Sequence, residues 1–565
     1  MPFEKSKITL TETGQFSKLF LDYISKCDVL SEFYAYEPNI EVFDKVIENK
    51  VKENINRLLL VTVINEQYAK IKNCELQKKN TALLLNKNTF TVATGHQLCL
   101  FTGPLYFIFK IITTINLSES LKIRYPQYNF VPIYVMASED HDFEEINKVN
   151  LFGKKIIWDS KKTESSKDNT GDLEFNESSN NIVGKGPVGK LNTESIKFLI
   201  DELSEILGES ENALELIQLY KESYLNNENL ADATRHLVHH LFSQYGLVIM
   251  DSNDKRLKNE FSDIIKDDII NHSNYKIVKQ TIHNLEQIGV KAQANPREIN
   301  CFYMIDNLRE RIEYNNISNP ENTGEELFKV LNTAITFTRE ELIEEINNYP
   351  ERFSPNVILR PVYQQKILPN IAYVGGPGEI AYWLEYKNMF DFHNINFPAL
   401  IPRNFALLTN KKIELQLQKL GFTFPDLFKN MDVLIKEFVI NNASSDLSFK
   451  EQEINIIKIY SDIAAKVSAV DITLKSSVEA ELQKALNAIK NIENKLTRAE
   501  KQKQAANVLQ ITKLKDKFFP EGALQERYEN MTPYYLMYGK KWIADLKEHF
   551  NPFDFNLLIL TEQKD

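Results

Sequence analysis

Five short, almost unbroken apolar runs punctuate the chain: Phe90 to Thr94, Phe130 to Met136, Leu247 to Asp251, Ile371 to Val374 and Pro398 to Pro402. Each stops at a polar burst, such as TGHQ, ASEDHDFEEINKV, DSNDKRLKNE or GGPGEIAYWLEYK. The stretches between them carry apolar residues at helical spacing. Continuous apolar strands alternating with amphipathic helices predict a parallel sheet covered on both faces, a Rossmann-like α/β core. In such sheets ligands bind beyond the carboxyl ends of the strands, where all the polar bursts fall. Residues 1 to about 90 read as mostly helical, and Thr102 reads as the N-cap of a helix with Pro104 in its first turn.

Between about 152 and 200 the chain turns polar, which predicts a surface insertion. Its GKGPVGK lacks the order and preceding strand of a phosphate-binding P-loop and reads as a mobile turn. From about 409 to 515 glycine and proline almost vanish, and Leu482, Ala485, Ile489, Ile492, Leu496 and Ala499 form a heptad seam. The expected organisation is a core over 1–408, a helical coiled-coil domain over 409–515, and a segment over 516–565 that docks back on the core. The coiled coil serves a hairpin within the chain or a dimer contact.

Size and charge narrow the function. A chain of 565 residues exceeds what one hydrophobic core organises. With 43% hydrophobic residues, 26% charged residues and a mean hydropathy of −0.34, it is a folded globular protein. A net charge of −11 argues against nucleic acid or an anionic membrane as partner, both of which call for a basic surface. Cys27, Cys74, Cys99 and Cys301 lack CxxC spacing and read as reduced thiols. With an opening that has no apolar signal core and no run long enough to span a bilayer, the expected location is the cytoplasm.

Four clusters carry candidate chemistry. The first is TGHQ with its following turn, where Gly95, His96, Gln97, Thr102 and Gly103 could present backbone N–H groups to a phosphate or carboxylate; Gly95 could equally serve only the turn. In the second, SEDHDFEE, five carboxylates and a histidine share eight residues. Ser138 and Glu139 are expected to bind, and Asp140, His141 and Asp142 to act as base or ammonium site, although acidic residues also favour a helix start. No histidine pair sits at metal-ligand spacing, so no metal ligands are assigned. YVGGPGEIAYW, the third, brings Gly375, Gly376 and Gly378 to a strand-to-helix corner as an anion cradle, with Glu379 as binder or as helix cap. Arginines beside prolines or asparagines make the fourth, with Arg297 and Asn300 in NPREIN, Arg360 in LRP and Arg403 in IPRN. Arginine's planar fork suits a carboxylate or phosphate.

The wording of these segments, TGHQxxLFTGPLY, VPIYVMASEDHDFEEIN, NPREINxFY, FSPNVxLRPVYQ, YVGGPGEIAYW with PRN, and the terminal FPxGxLQER and YGKKW, resembles the bacillithiol cysteine-adding family (BshC) from about residue 90 onward. One departure is His96, where family members often carry glutamine, which makes it a poor obligatory base. The resemblance implies a Rossmann core interrupted by connecting segments, a coiled-coil domain used for homodimerisation, and condensation of cysteine with the amine of glucosaminyl malate. Amide formation from a carboxylate in water is uphill, so ATP with Mg²⁺ is the expected energy source. Against this stand two alternatives, a nucleotidyltransferase or hydrolase acting on another anionic small molecule and a non-catalytic coiled-coil scaffold.

Overall fold

The computed structural model describes residues 3–162, 186–315, 326–443 and 446–563. Its centre is a five-stranded, all-parallel sheet in the spatial order Ala399–Pro402, Asn370–Gly375, Thr89–His96, Asn129–Met136, Val248–Asp251. Each of the five apolar runs is one of these strands. Val92, Ala93, Val131, Ile133, Val248, Ile249, Ile371, Val374, Leu400 and Ile401 are fully buried, which is why the runs are continuous and not alternating. From the central strand Thr89–His96 the chain adds strands on one side, then returns to add Asn370–Gly375 on the other. The order reverses between these two neighbours, and a crevice opens beyond their carboxyl ends.

Helix Leu105–Arg124 packs on the central strands with Ile108, Ile111, Ile112 and Ile115 inward. The hydroxyls of Thr113, Thr114 and Ser118 bond carbonyls one turn back, which satisfies polar groups that the packing buries. Thr102 does not cap this helix. It lies in a 3-10 turn, Leu100–Thr102, where Phe101, Thr102 and Gly103 all take positive φ, and Pro104 occupies the N-cap position. The Asn530 amide clamps this turn by donating to the carbonyls of Phe101 and Gly103. A Cβ on Gly103 would meet Cys99 Cβ at 2.6 Å, so the turn requires glycine.

The first 90 residues are not all helical. Phe3–Thr9 is a strand antiparallel to Asn556–Glu562, which in turn runs parallel to Phe405–Asn410. Only Ile8 of FEKSKIT is buried, so pairing, not an apolar face of its own, makes this segment a strand. Between Val248–Asp251 and Asn370–Gly375 the chain also builds a five-stranded antiparallel sheet over Cys301–Pro355, in the order Thr336–Thr338, Leu327–Val330, Leu308–Asn315, Cys301–Ile305, Phe353–Pro355.

Residues 163–185 of the polar 152–200 stretch, the start of GKGPVGK included, lie outside the described residues. The remainder of that motif is no mobile turn. Pro187, Val188 and Gly189 are buried, with Val188 N–H donating to Asp140 O and Gly189 N–H to Ser138 O. A Cβ on Gly189 would come within 2.7 Å of Ser138 Cβ, so close packing explains the glycine. In the helical region, Lys450–Ser468 and Lys475–Lys503 pack on each other. Leu482, Ala485, Ile489 and Leu496 are half-buried, but Ile492 and Ala499 face out and the seam runs instead through Leu486, Glu493 and Glu500. The direction from which neighbouring helices approach, and not the apolar count alone, selects the covered track. Among the described residues no helix is long and apolar enough to cross a membrane.

Candidate functional site

A cavity of about 730 Å³ occupies the crevice at the strand reversal. The corner after Thr89–His96 supplies Gly95, His96 and Gln97. The corner after Asn129–Met136 supplies Ser138 to His141, and that after Asn370–Gly375 supplies Gly376, Gly378 and Glu379. Arg297, Asn300, Arg360 and Arg403 complete the candidates on its wall. Thr102, Gly103, Asp142 and Gly375 do not line it. Asp142 is spent as an N-cap, accepting from Glu145 N at 3.1 Å. Gly375 packs beneath Tyr373 and Glu379, leaving a Cβ only 3.1 Å from the tyrosine ring.

Two buried ion pairs form the floor. Lys110, 1% exposed, reaches from helix Leu105–Arg124 to Glu379 at 2.8 Å and donates to Gly95 O at 2.5 Å. Tyr373 Oη and Gly376 N–H also donate to Glu379, so this carboxylate ties its own corner to helix Leu105–Arg124 and, through Lys110, to the corner at Gly95. It is at once helix cap and site floor. Burial lowers the Lys110 pKa while Glu379 opposes the shift. The second pair joins Glu139 to Lys258 at 2.5 Å, with Ser354 Oγ donating to Glu139 at 2.6 Å. Burial pushes the Glu139 carboxyl up, but Lys258, Ser354 and Arg309 together outweigh it and hold it below its ordinary value.

Above the floor, Gln97 Nε2 donates to Asp140 at 3.0 Å and to Glu145 at 2.8 Å, using both its protons. Burial raises the Asp140 pKa, yet Arg360, 4.0 Å away, together with Gln97, Arg309 and the His141 N–H, brings it down to about 2. Asp140 is therefore a fixed anion. His96 is half-buried and stacked on Phe107 at 4.9 Å, and desolvation with nearby Lys110 and Arg403 holds its pKa well below the ordinary value. It is a neutral packing element. Asn300 spends its side-chain amide on Arg297 of its own loop and on Asp268 and Asn356 from two other segments. Ser138 Oγ donates to Asp251 at 2.5 Å. Arg403 pairs with buried Glu526 at 2.6 Å and stacks over Phe405, while its Nε is buried without an acceptor.

Sequence reasoning missed Lys110, Lys258, Arg309, Arg311, Glu526 and Arg527. Lys110 had a signal, a lone charge inside FIFKIITTI. Arg309 and Arg311 had none, because Leu308–Asn315 pairs with its neighbours in sequence, and nothing in that local pairing marks a strand that faces the crevice of the parallel sheet. With both floor carboxylates neutralised by lysines, the side chains of Arg297, Arg311 and Arg527 on the cavity wall have no ion-pair partner among the described residues. The wall thus carries free guanidiniums as well as the Asp140 and Glu145 carboxylates.

A doubly wound sheet with a polar, arginine-lined cavity at its strand reversal defines a Rossmann-like protein whose crevice suits an anionic small molecule. The family models then specify which: the N-terminal Rossmann-like domain of bacillithiol biosynthesis BshC matches residues 3–404, and the C-terminal coiled-coil domain of BshC matches residues 406–562. This chain belongs to the BshC family. Relatives named "Putative cysteine ligase BshC" include one from Flavobacterium psychrophilum, 42% identical over 96% of this chain and 97% of its own length. Others are from Flavobacterium johnsoniae, 40% identical over 98% and 99%, and from Salinibacter ruber, 29% identical over 94% of each.

Proposed function

We propose that this protein is a cysteine ligase of bacillithiol synthesis, forming an amide between the cysteine carboxyl and the amine of glucosaminyl malate. The observation that carries the reading is one cavity that holds both guanidiniums without an ion-pair partner and a carboxylate corner. A sugar malate offers two carboxylates and an amine, and these two kinds of group answer those charges. Arg297, Arg311 and Arg360 hold the malate carboxylates. Asp140 holds the amine as its ammonium, and the exposed Glu145 beside it takes the proton that must leave before the amine attacks. The fully committed Glu379 and Glu139 keep the corners in register and do no proton transfer.

Activation of the cysteine carboxylate is assigned to ATP, whose phosphates fit the first turn of helix Pro377–Leu384. The N–H groups of Gly378 and Glu379 there have no intrahelical acceptor, and Gly378 faces open space with nothing closer than 3.9 Å to a Cβ built on it. Among the described residues no three His, Cys, Asp or Glu side chains converge as a metal site, so Mg²⁺ is assigned to the nucleotide phosphates. The helical hairpin is assigned to pairing with a second copy, in line with exposed Ile459 and Ile463 on one side of Lys450–Ser468.

The test is mass spectrometry of purified protein with cysteine, glucosaminyl malate and Mg-ATP, alongside a tube without ATP. Bacillithiol in the complete mixture alone, with AMP or ADP released, supports the reading. Nucleotide turnover without a thiol product overturns it.

A further inference from the structure

Nearest the carboxylate corner stands a side chain that the proposed chemistry leaves without a stated part, His141. It has the right residue type for a base, and its neighbourhood decides otherwise. Arg309 Nη1 lies 2.7 Å from His141 Nδ1. A guanidinium has only donors, so this ring nitrogen must be an acceptor and the ring proton must sit on Nε2. Asp140 does not compete for Nδ1: its Oδ1 is 3.8 Å from that nitrogen and accepts the His141 backbone N–H at 2.8 Å instead.

The same logic runs back through the floor. Arg309 Nε donates to Ser354 Oγ at 3.0 Å, which leaves the Ser354 proton for Glu139, itself fixed by Lys258. Phe302 stacks 3.9 Å from the guanidinium carbon and fixes the fork's plane. Arg309 is 3% exposed, so the donor is anchored on every side.

We propose that Arg309 is a positioning residue that locks His141 as the neutral Nε2–H tautomer, so that His141 offers the cavity a hydrogen-bond donor and not a base. The far nitrogen has no partner among the described residues, on a side chain that is 38% exposed. Its ligand is an oxygen atom carrying or developing negative charge, as on a carboxylate or an acyl group under attack. The charged groups facing the ring are Asp140 and Asp142 from its own corner, Arg309 and Glu310 from the antiparallel sheet, and Arg360 behind Asp140. Burial and Arg309 together outweigh the acids and lower the ring's pKa, in agreement with the neutral form.

The part concerning the tautomer stands on geometry, and only the kinetic part rests on the ligase reading. The test is a long-range ¹H–¹⁵N spectrum of the full-length protein labelled at histidine, with His141 assigned by its loss in His141→Gln. The expected pattern is Nε2–H, unchanged from about pH 6.5 to 9, with Arg309→Met restoring titration near the ordinary histidine range of about 6.5. An Nδ1–H or doubly protonated ring at pH 7 overturns the proposal, and no substrate is needed to see it. In the ligase assay, His141→Gln, which keeps an amide N–H near the Nε2 position, should retain at least about a tenth of kcat. His141→Ala should lose about a hundredfold, the worth of one donor to a developing charge. Equal loss in both variants overturns the donor role even if the tautomer is as expected.

Discussion

The residues that matter most here are charged groups whose partners are far away in sequence. Lys110 and Glu379 lie 269 positions apart, and each would be costly alone. Breaking a buried pair strands an uncompensated charge on Lys110, so Glu379→Ala should cost about 3–5 kcal/mol in chemical denaturation, against little for the exposed Glu144→Ala. Asp140 makes a statement about pH. Its folded pKa of about 2 lies below the unfolded value of about 3.9, so its contribution is complete above the unfolded value and disappears as pH falls through the folded one. Wild type should exceed Asp140→Asn by about 2 kcal/mol at pH 6, with the gap closing between about pH 4 and 1, as equilibrium unfolding at several pH values would reveal. Reading the sequence found Asp140 and Glu379 from their local motifs. It could not find Arg309, because nothing near LRERIEYN marks a residue that will meet His141, 168 positions earlier.

At the level of elements, the five core strands were legible because full burial on both faces writes an unbroken apolar run. Phe3–Thr9 was not, since an edge strand held by backbone pairing leaves its side chains free to be polar. Its partner Asn556–Glu562 sits in the middle of the three-stranded sheet, with Leu557, Leu558, Ile559 and Leu560 at most 1% exposed. Truncation before Asn556 removes four buried aliphatic side chains, each worth about 1.5–3 kcal/mol, and unpairs two strands. Such a protein should be recovered insoluble or be cut rapidly by protease at a temperature where the full chain resists. The buried turn at Pro187–Gly189 was misread for the opposite reason: small and polar residues are also what a tight backbone contact requires.

Over the whole molecule, the cavity is assembled from segments spread from Gly95 to Arg527. The helical hairpin is remote from that chemistry, so pairing and catalysis should separate. Ile459→Glu with Ile463→Glu should halve the mass seen by sedimentation while leaving far-ultraviolet circular dichroism and ligand binding in the cavity intact. A mass unchanged by these substitutions would remove the hairpin as the contact between copies. The sequence by itself determined the elements whose cause is local: the parallel core, the helical domain, and the glycine and acidic corners that strand ends expose. Only the tertiary structure decided which charges neutralise one another, which leave arginines free to bind, and which nitrogen of His141 carries the proton. Burial periodicity is written into neighbouring residues, whereas a charge acquires its role from whatever the completed fold brings within a few ångströms of it.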